Sequence, residues 1–275
     1  MNCAWKELLA ILPPGLRQQV DTKGRADGIE LRMRLAQKPM LVCRQGNQLL
    51  EGTVTTEELN FVVNMACRYS PWTADTAACG YITAPGGHRI GLCGEALVKD
   101  GSMVGMKVLH SLNLRIARDL EGISGDLGRE KGDLLIVGRP GSGKTTLLRD
   151  LIRKRSYQET VSVVDERGEL FPVGFRRGER MDVLLGCRKA QGIDRVLRTM
   201  TPDSIAIDEV TAREDTEALV QAAWCGVRLL ASCHAADRME LLRRPVYRPL
   251  VDSGLFTTLV VMQPDKSFRI ERMKQ

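Results

Sequence analysis

A glycine-rich segment in the middle of the chain has the residue types and spacing to bind phosphates. It fits the pattern G-x-x-x-x-G-K-[ST], in which glycines let a loop fold around an anion while backbone N–H groups point at it. Residues 133–137 before it are typical of a buried strand, and residues 144–155 after it are typical of a helix whose N-terminus faces the same anion. The segment consists of Gly138, Arg139, Pro140, Gly141, Ser142, Gly143, Lys144, Thr145 and Thr146. We predict that it binds ATP or GTP, and the choice between the two stays open.

Four side chains have defined roles toward such a triphosphate. Lys144 is expected to bridge β- and γ-phosphate oxygens, and the Thr145 hydroxyl is expected to bind Mg²⁺. The apolar stretch 204–207 is typical of a strand and is followed by Asp208 and Glu209. We predict that Asp208 holds Mg²⁺, directly or through water, and that Glu209 orients and deprotonates the attacking water. This second carboxylate favours an NTPase over a small-molecule kinase, because water attack would waste the phosphate donor of a kinase.

Two further predicted strands end in groups that could act on the γ-phosphate. The stretch 161–164 leads into Asp165 and Glu166, and its strand should lie beside the strand of the phosphate loop. Asp165 or Glu166 could therefore share the activation of water with Glu209, and Glu166 is the alternative to Glu209 as the general base. Another strand ends near His234, whose neutral imidazole could sense the γ-phosphate through a hydrogen bond.

The elements that must position these residues fall into two parts. Residues 129–275 alternate strand and helix, which predicts a mostly parallel sheet that binds ligands at the carboxyl ends of its strands. Residues 1–128 are predicted to form a smaller α+β domain, and the glycine-containing stretch 122–131 is predicted to be a linker. In the second part the predicted strands are 133–137, 161–164, 204–207, 227–232 and 257–262, and the predicted helices are 144–155, 193–200, 213–224 and 236–243.

The first part contains short local signals of helix and strand. An amphipathic helix is predicted within residues 1–12, and Thr55 with Glu58 forms a capping box that predicts a second helix start. Alternation of apolar and polar residues predicts strands, which turn residues connect as hairpins. The predicted strands are 28–34, 39–43, 48–50, 80–82, 88–93 and 112–117.

Composition bears on the partners and the compartment. The net charge is +6, and the excess of Lys and Arg lies mostly in residues 129–275. We expect this positive charge to balance the negative charge of a bound triphosphate rather than to bind nucleic acid or anionic lipid. Only 4% of the residues are aromatic, so no base-stacking platform is evident and nucleic acid is not expected as a partner.

The eight cysteines contain no C-x-x-C pair, which favours reduced thiols in the cytosol. Without a signal peptide or an apolar run of about 18 residues, any membrane association is expected to be peripheral.

The order of these motifs resembles that of the secretion ATPases of type II, type IV pilus and type IV systems. Those proteins carry a Walker A motif, an Asp box, a Walker B motif and a His box in the same succession. More narrowly, the stretches 86–94, 114–118, 164–169 and 178–184 are similar to the stage III sporulation protein AA family. The resemblance extends over about residues 25–250. It departs from the secretion ATPases at Walker B, where they commonly place glycine before the glutamate and this chain has Asp208.

The resemblance implies a RecA-like P-loop ATPase domain preceded by the α+β domain. It further implies a Mg²⁺-dependent ATPase, either a motor or an assembly factor, that forms a hexameric ring at the cytoplasmic face of a membrane. The implied partners are membrane proteins of the sporulation stage III complex in the mother cell. If ATP lies at a junction of domains or subunits, Arg115 and Arg118 of the first domain, or alternatively Arg89, could complete the site, since an inserted arginine strongly accelerates phosphoryl transfer.

Two other functions remain open at this point. A nucleic-acid motor is one, because RecA-like domains also drive helicases, and salt-dependent binding to single strands would identify it. A nucleotide-switched scaffold with little turnover is the other, and ATPase measurements with and without assembly would identify it.

Overall fold

The computed structural model describes residues 4–67, 80–172 and 175–273. The chain divides into two compact units. The first contains Met1–Asp119 with Pro172–Phe175, and the second contains Leu120–Phe171 with Arg176–Gln275. No helix in the described ranges is long and apolar enough to cross a membrane.

The first unit is a six-stranded antiparallel sheet with helices packed on it. The strand order is β3-β2-β1-β6-β5-β4. The strands are β1 (Gly28–Arg34), β2 (Met40–Cys43), β3 (Gly46–Leu49), β4 (Tyr81–Ala84), β5 (His88–Lys99) and β6 (Ser102–Arg115), and the helices are α1 (Trp5–Ile11), α2 (Pro14–Gly24) and α3 (Thr56–Cys67). The capping box is present, because the Thr55 hydroxyl accepts from the Glu58 N–H at 3.2 Å and a Glu58 carboxylate oxygen accepts from the Thr55 N–H at 3.2 Å.

A buried histidine connects Ala4, the residue before α1, to this sheet. His88 is fully buried, its Nε2 lies 2.8 Å from the Ala4 carbonyl oxygen, and its Nδ1 accepts from the Ala117 N–H at 3.1 Å. Nε2 therefore carries the proton and donates to Ala4, since Nδ1 is used as an acceptor. Next to it, Gly86 has a φ of 79°, and a Cβ there would lie 2.3 Å from the Cβ of Ala4. Only glycine fits this turn, so the turn and the histidine together fix the position of Ala4.

The second unit is a seven-stranded sheet in which one edge strand is antiparallel and the other strands are parallel. The strand order is β13-β12-β7-β11-β10-β8-β9. The strands are β7 (Leu134–Val137), β8 (Val161–Asp165), β9 (Met181–Leu185), β10 (Ser204–Val210), β11 (Arg228–Cys233), β12 (Thr258–Met262) and β13 (Phe268–Arg272). The helices are α4 (Lys144–Arg155), α5 (Lys189–Met200), α6 (Arg213–Trp224), α7 (Arg238–Arg243) and α8 (Arg248–Asp252), with 3-10 turns at Gly125–Arg129 and Pro245–Tyr247.

Both faces of this sheet are covered by helices. Successive residues of a strand point to opposite faces, and Leu134 and Ile136 accordingly join the core cluster that contains α4, whereas Leu135 and Val137 join the cluster that contains α5 and α6. A central parallel strand is therefore apolar throughout rather than alternating. This arrangement brings the carboxyl ends of β7, β8, β10 and β11 to one edge of the sheet.

The stretch 122–131, predicted as a linker, belongs to the second unit. The buried carboxylate of Asp150 on α4 accepts hydrogen bonds from the Gly122 N–H at 2.8 Å, the Ser124 N–H at 2.8 Å and the Ser124 hydroxyl at 2.5 Å. Leu127 is also buried in the core beside α4. The division between the units consequently falls after Asp119, ahead of the predicted boundary at residue 128.

Candidate nucleotide-binding site

The phosphate loop connects β7 to α4 and depends on glycine at three positions. Gly141 and Gly143 have φ values of 75° and 99°, in the left-handed region that side chains disfavour. Gly138 is close to its neighbours, since a Cβ on it would lie 2.5 Å from the Ser142 Oγ and 2.7 Å from the Met262 Cβ. The loop therefore has the tight curvature that a phosphate cradle needs, and it ends at the N-terminus of α4.

Lys144 is the first residue of α4 and is buried. Its ammonium donates to the Arg139 carbonyl oxygen at 3.1 Å and lies 3.1 Å from Nδ1 of His234. Burial lowers the pKa of Lys144, while the nearby carboxylates of Asp208 and Glu209 oppose that effect. A desolvated ammonium at the start of a helix is suited to a strongly anionic ligand such as a triphosphate.

Thr145, the residue after Lys144, contacts the Asp208 carboxylate through its hydroxyl. Thr145 Oγ1 donates to one Asp208 oxygen at 2.6 Å, and the Ser232 hydroxyl donates to the other. Two hard oxygen groups on separate elements suit Mg²⁺, which proteins usually hold with few side chains while phosphates and water complete the octahedron. Within the ranges that the structure describes, no three His, Cys, Asp or Glu side chains form a metal site by themselves.

A β-bulge places Asp208 and Glu209 together. Ile207 pairs with Ala231 and Val210 pairs with Cys233, so Asp208 and Glu209 both stand opposite the single residue Ser232. The Ser232 hydroxyl accepts from the Glu209 N–H at 2.9 Å, and Glu209 has a φ of 53°. Neighbouring side chains in a regular strand would point to opposite faces, but the bulge re-aims them. Positive φ at a residue other than glycine is local strain of the kind found at functional sites.

Both carboxylate oxygens of Glu209 have partners. Oε1 lies 3.0 Å from Nε2 of His234, and Oε2 lies 3.1 Å from Nη1 of Arg167. Because Lys144 donates to Nδ1 of His234, the imidazole proton is assigned to Nε2, which donates to Glu209. Lys144, His234, Glu209 and Arg167 therefore form a continuous series of polar contacts.

Tyr247 holds the ends of two strands together, although its place in the sequence predicts no such role. Its hydroxyl accepts from the His234 N–H at 3.2 Å and lies 3.3 Å from the Val210 carbonyl oxygen, to which it donates. The side chain is buried, and burial raises its pKa. It lies in a short 3-10 turn that no motif marks, so the contact could be found only from the folded chain.

The two acidic residues at the end of β8, Asp165 and Glu166, have different surroundings. The Asp165 carboxylate accepts from the N–H groups of Glu169 and Leu170, each at 2.9 Å, and from that of Phe171 at 3.1 Å. Asp165 thus fixes the loop that follows β8. Burial raises the pKa of its carboxyl, and these hydrogen bonds oppose that effect. Glu166 instead pairs with Lys189 at 2.7 Å.

Glu166 and Glu209 share a pocket at the edge of the sheet. Asp208, Arg167 and Lys189 also line it. The sequence predicts that β8 lies beside β7, the strand before the phosphate loop, and this prediction is wrong, because β11 and β10 lie between the two strands. β8 instead pairs with β10, so its acidic end lines one pocket with Asp208 and Glu209. Which of the two glutamates activates water stays a prediction.

The arginines predicted to complete the site lie in the first unit. The Arg118 guanidinium donates to the carbonyl oxygens of Gly24, Arg25 and Gly28 at 3.0–3.2 Å and lies 5.6 Å from the ring centre of Trp5. The side chain of Arg115 is two-thirds exposed, and its Nε lies 3.5 Å from a Glu30 carboxylate oxygen.

The third arginine, Arg89, lies over the ring of Tyr81 with 4.0 Å between its Cζ and the ring centre. A role for any of the three toward a nucleotide in another domain or subunit stays a prediction.

The chain is similar over nearly its whole length to known sequences. The model of the family described as "Sporulation stage III, protein AA" matches residues 5–271. Stage III sporulation protein AA of Bacillus subtilis (strain 168) is 32% identical over 273 residues, which cover 91% of this chain and 88% of that protein.

Solved structures of low sequence identity share the fold. The ATPase DotB of Legionella pneumophila superposes with a TM-score of 0.60 at 17% identity, covering 95% of this chain and 80% of that one. The pilus retraction motor PilT with bound ADP gives a TM-score of 0.64 at 14% identity, covering 94% and 83%. The fold prediction is confirmed: a RecA-like domain with a mostly parallel sheet follows a smaller α+β domain.

Proposed function

The chain belongs to the stage III sporulation protein AA family, and we propose that it is a Mg²⁺-dependent ATPase, a motor or assembly factor of a membrane-associated sporulation complex. One observation carries the proposal. The ends of β7, β10 and β11 meet in a single polar site, where Thr145 contacts Asp208 and Lys144 contacts His234. Groups suited to phosphate, to Mg²⁺ and to proton transfer thus belong to one network of hydrogen bonds, in which Ser232 connects Asp208 with Glu209.

Each side chain has a distinct task in ATP hydrolysis. The loop N–H groups and Lys144 bind the phosphates, and Thr145 with Asp208 would hold Mg²⁺, which would supply positive charge against that of the phosphates. Ser232 fixes the Asp208 carboxylate by the hydroxyl it donates. Because the transition state for phosphoryl transfer asks mainly for positioning and electrostatic stabilisation, a site built from fixed side chains suits it.

Glu209 is the group we assign to activate water. Its carboxylate takes the water proton while the water oxygen bonds to the γ-phosphorus and the bond from that phosphorus to the β–γ bridging oxygen breaks. The backbone bulge and the His234 contact at 3.0 Å fix its orientation. Glu166 is less suited, because its carboxylate pairs with Lys189, whereas that of Glu209 contacts His234 and through it Lys144 of the phosphate loop.

The wider setting of the protein is proposed from its family and its neighbours. The Bacillus relative is named for stage III of sporulation, and PilT is described as a pilus retraction motor. We infer a hexameric ring in the mother-cell cytoplasm, peripheral to the membrane, with membrane proteins of the stage III complex as partners and without nucleic acid. ATP is the proposed substrate, because DotB is described as an ATPase and PilT was solved with bound ADP.

Two measurements on the full chain test this function. Equilibrium binding of ATP and GTP with Mg²⁺, followed by phosphate release, should show ATP binding and hydrolysis. Light scattering with and without ATP and Mg²⁺ should show whether a ring assembles. Absence of nucleotide binding would remove the proposal, whereas binding with negligible phosphate release in the assembled state would favour the nucleotide-switched scaffold.

A further inference from the structure

We propose that Arg167 binds the terminal phosphate of the nucleotide from within the same unit, by exchanging its ion pair with Glu209 for that phosphate. The inference rests on the proposed function and assigns a new residue to the same site. It provides the site with an arginine of its own, whereas the sequence pointed to arginines of the first domain.

Arg167 is in reach of the groups that handle phosphate. Its Nη1 lies 3.1 Å from the Glu209 carboxylate, which contacts His234 at 3.0 Å, and His234 contacts Lys144 at 3.1 Å. The guanidinium also lines the pocket that contains Asp208. A planar guanidinium with paired N–H groups matches the geometry of phosphate oxygens.

The loop that carries Arg167 is fixed at both ends, and its arginine side chain is half exposed. Asp165 before it accepts three backbone N–H bonds from residues 169–171, and Gly168 after it turns the chain with a φ of 67°. Glu166 next to it is held by Lys189. The side chain of Arg167 is 52% exposed, so it can change partners by rotamer changes without a movement of the backbone.

Charge favours the exchange when a γ-phosphate is present. A phosphate oxygen is a stronger partner for guanidinium than a carboxylate that already has a second partner, because the terminal phosphate bears more negative charge. Departure of Arg167 frees Oε2 of Glu209, while His234 continues to hold Oε1. The oxygen that takes the water proton thus becomes free only when the nucleotide is a triphosphate.

Binding measurements with ATP and ADP test this proposal without relying on turnover. We expect Arg167→Ala to weaken Mg²⁺–ATP binding by about tenfold or more, as for the loss of one charge-assisted hydrogen bond, and to leave ADP affinity unchanged. Arg167→Lys should retain part of the preference for ATP. Arg198→Ala is the matched control, since Arg198 is 76% exposed and pairs with Asp194 on α5.

The Glu209→Gln background separates phosphate binding from an indirect effect. Arg167→Ala should still weaken ATP binding there, because the phosphate contact does not need the Glu209 charge. An effect that disappears in this background, or an unchanged ratio of ATP to ADP affinity in Arg167→Ala, overturns the inference and leaves the proposed function standing. A wild-type chain that binds neither nucleotide overturns both.

Discussion

The ammonium nitrogen of Lys144 lies 3.1 Å from Nδ1 of His234. The two residues follow β7 and β11, which are adjacent parallel strands with Val137 paired to Cys233. The phosphate loop is therefore joined by direct contact to the histidine that orients Glu209. A ligand that attracts Lys144 changes the surroundings of His234 and, through it, those of Glu209.

Replacement of Lys144 by Ala should abolish ATP binding, with a loss of about 100-fold or more, because the phosphates lose their buried cation. The fold should remain, since the ammonium serves a ligand and its burial opposes its charge. Calorimetric titration with Mg²⁺–ATP measures the affinity, and circular dichroism measures the fold. Lys131→Ala, which removes an exposed lysine of the same unit, is the control. Unchanged binding in Lys144→Ala would contradict the whole assignment.

Glu209→Gln should bind ATP normally and hydrolyse it at least 100-fold more slowly, since an amide cannot take the water proton. Glu166→Gln should keep most of the activity, because it loses only the pair with Lys189. Single-turnover phosphate release compares the two variants at saturating ATP. If Glu166→Gln is the inactive one, water activation belongs to the end of β8.

Ser232→Ala should raise the Mg²⁺ concentration needed for ATP binding by about tenfold. The Ser232 hydroxyl holds Asp208 and accepts from the Glu209 N–H, and loss of such supporting contacts typically weakens metal affinity 10–100-fold. A Mg²⁺ titration at fixed ATP measures the effect. Ser162→Ala is a matched control, because Ser162 is equally buried on β8 and its hydroxyl has no hydrogen-bond partner. Equal shifts in both variants would show a general loosening of the sheet.

Arg118→Ala should lower the free energy of unfolding of the first unit by about 2–3 kcal/mol, because three backbone carbonyl oxygens lose the charged group that donates hydrogen bonds to them. Arg115→Ala should change stability by less than about 1 kcal/mol, as for an exposed ion pair. Urea unfolding, with hydrogen exchange at α2 and β1, measures both. Reduced turnover with full stability in Arg118→Ala would instead support an arginine that acts between subunits.

If Arg115 acts on the nucleotide of a neighbouring subunit, turnover should depend on assembly. Turnover per chain should rise with protein concentration, and mixing Arg115→Ala with Lys144→Ala protein should restore some activity. Turnover that is independent of concentration, together with full activity of Arg115→Ala, would leave the nucleotide site complete within one chain.

The first unit should lose stability as the pH falls below about 6.5. Burial lowers the pKa of His88 from its ordinary value of 6.5, so the unfolded chain binds this proton more readily than the folded one. The stabilisation is complete above that ordinary value and decreases as the pH falls toward the lower folded value. NMR titration of the three histidine rings should show His88 protonating at a lower pH than 6.5.

The variant His88→Gln should reduce this pH dependence of stability, because it removes the buried imidazole. A His88 ring that titrates at or above 6.5 would contradict the assignment of a neutral buried imidazole.

Much of the second unit follows from the sequence, because its central strands and helices have strong local signals. The predicted helices 144–155 and 213–224 match α4 and α6 residue for residue, and the strand before the phosphate loop is only one residue too long. The edge strands β9 and β13 were missed. Edge strands are half exposed and mixed in polarity, so their residues resemble those of loops.

The site was predictable in its motifs and unpredictable in its contacts. Walker-type spacing predicted Lys144 and Thr145 at the start of a helix and Asp208 and Glu209 at the end of a strand. The Ser232 hydroxyl and the Arg167 guanidinium reach Glu209 only through pairings between strands that are distant in sequence. Such contacts depend on strand order and on a bulge, and neither has a signature in a single sequence.

The left-handed backbone of Glu209 has a consequence for laboratory evolution. A φ of 53° costs a residue with a Cβ about 1 kcal/mol that glycine does not incur. A library screened only for heat resistance should therefore enrich glycine at position 209 and discard the side chain proposed to activate water. A library screened for turnover should retain glutamate there despite the lower melting temperature, so the two selections should diverge at this codon.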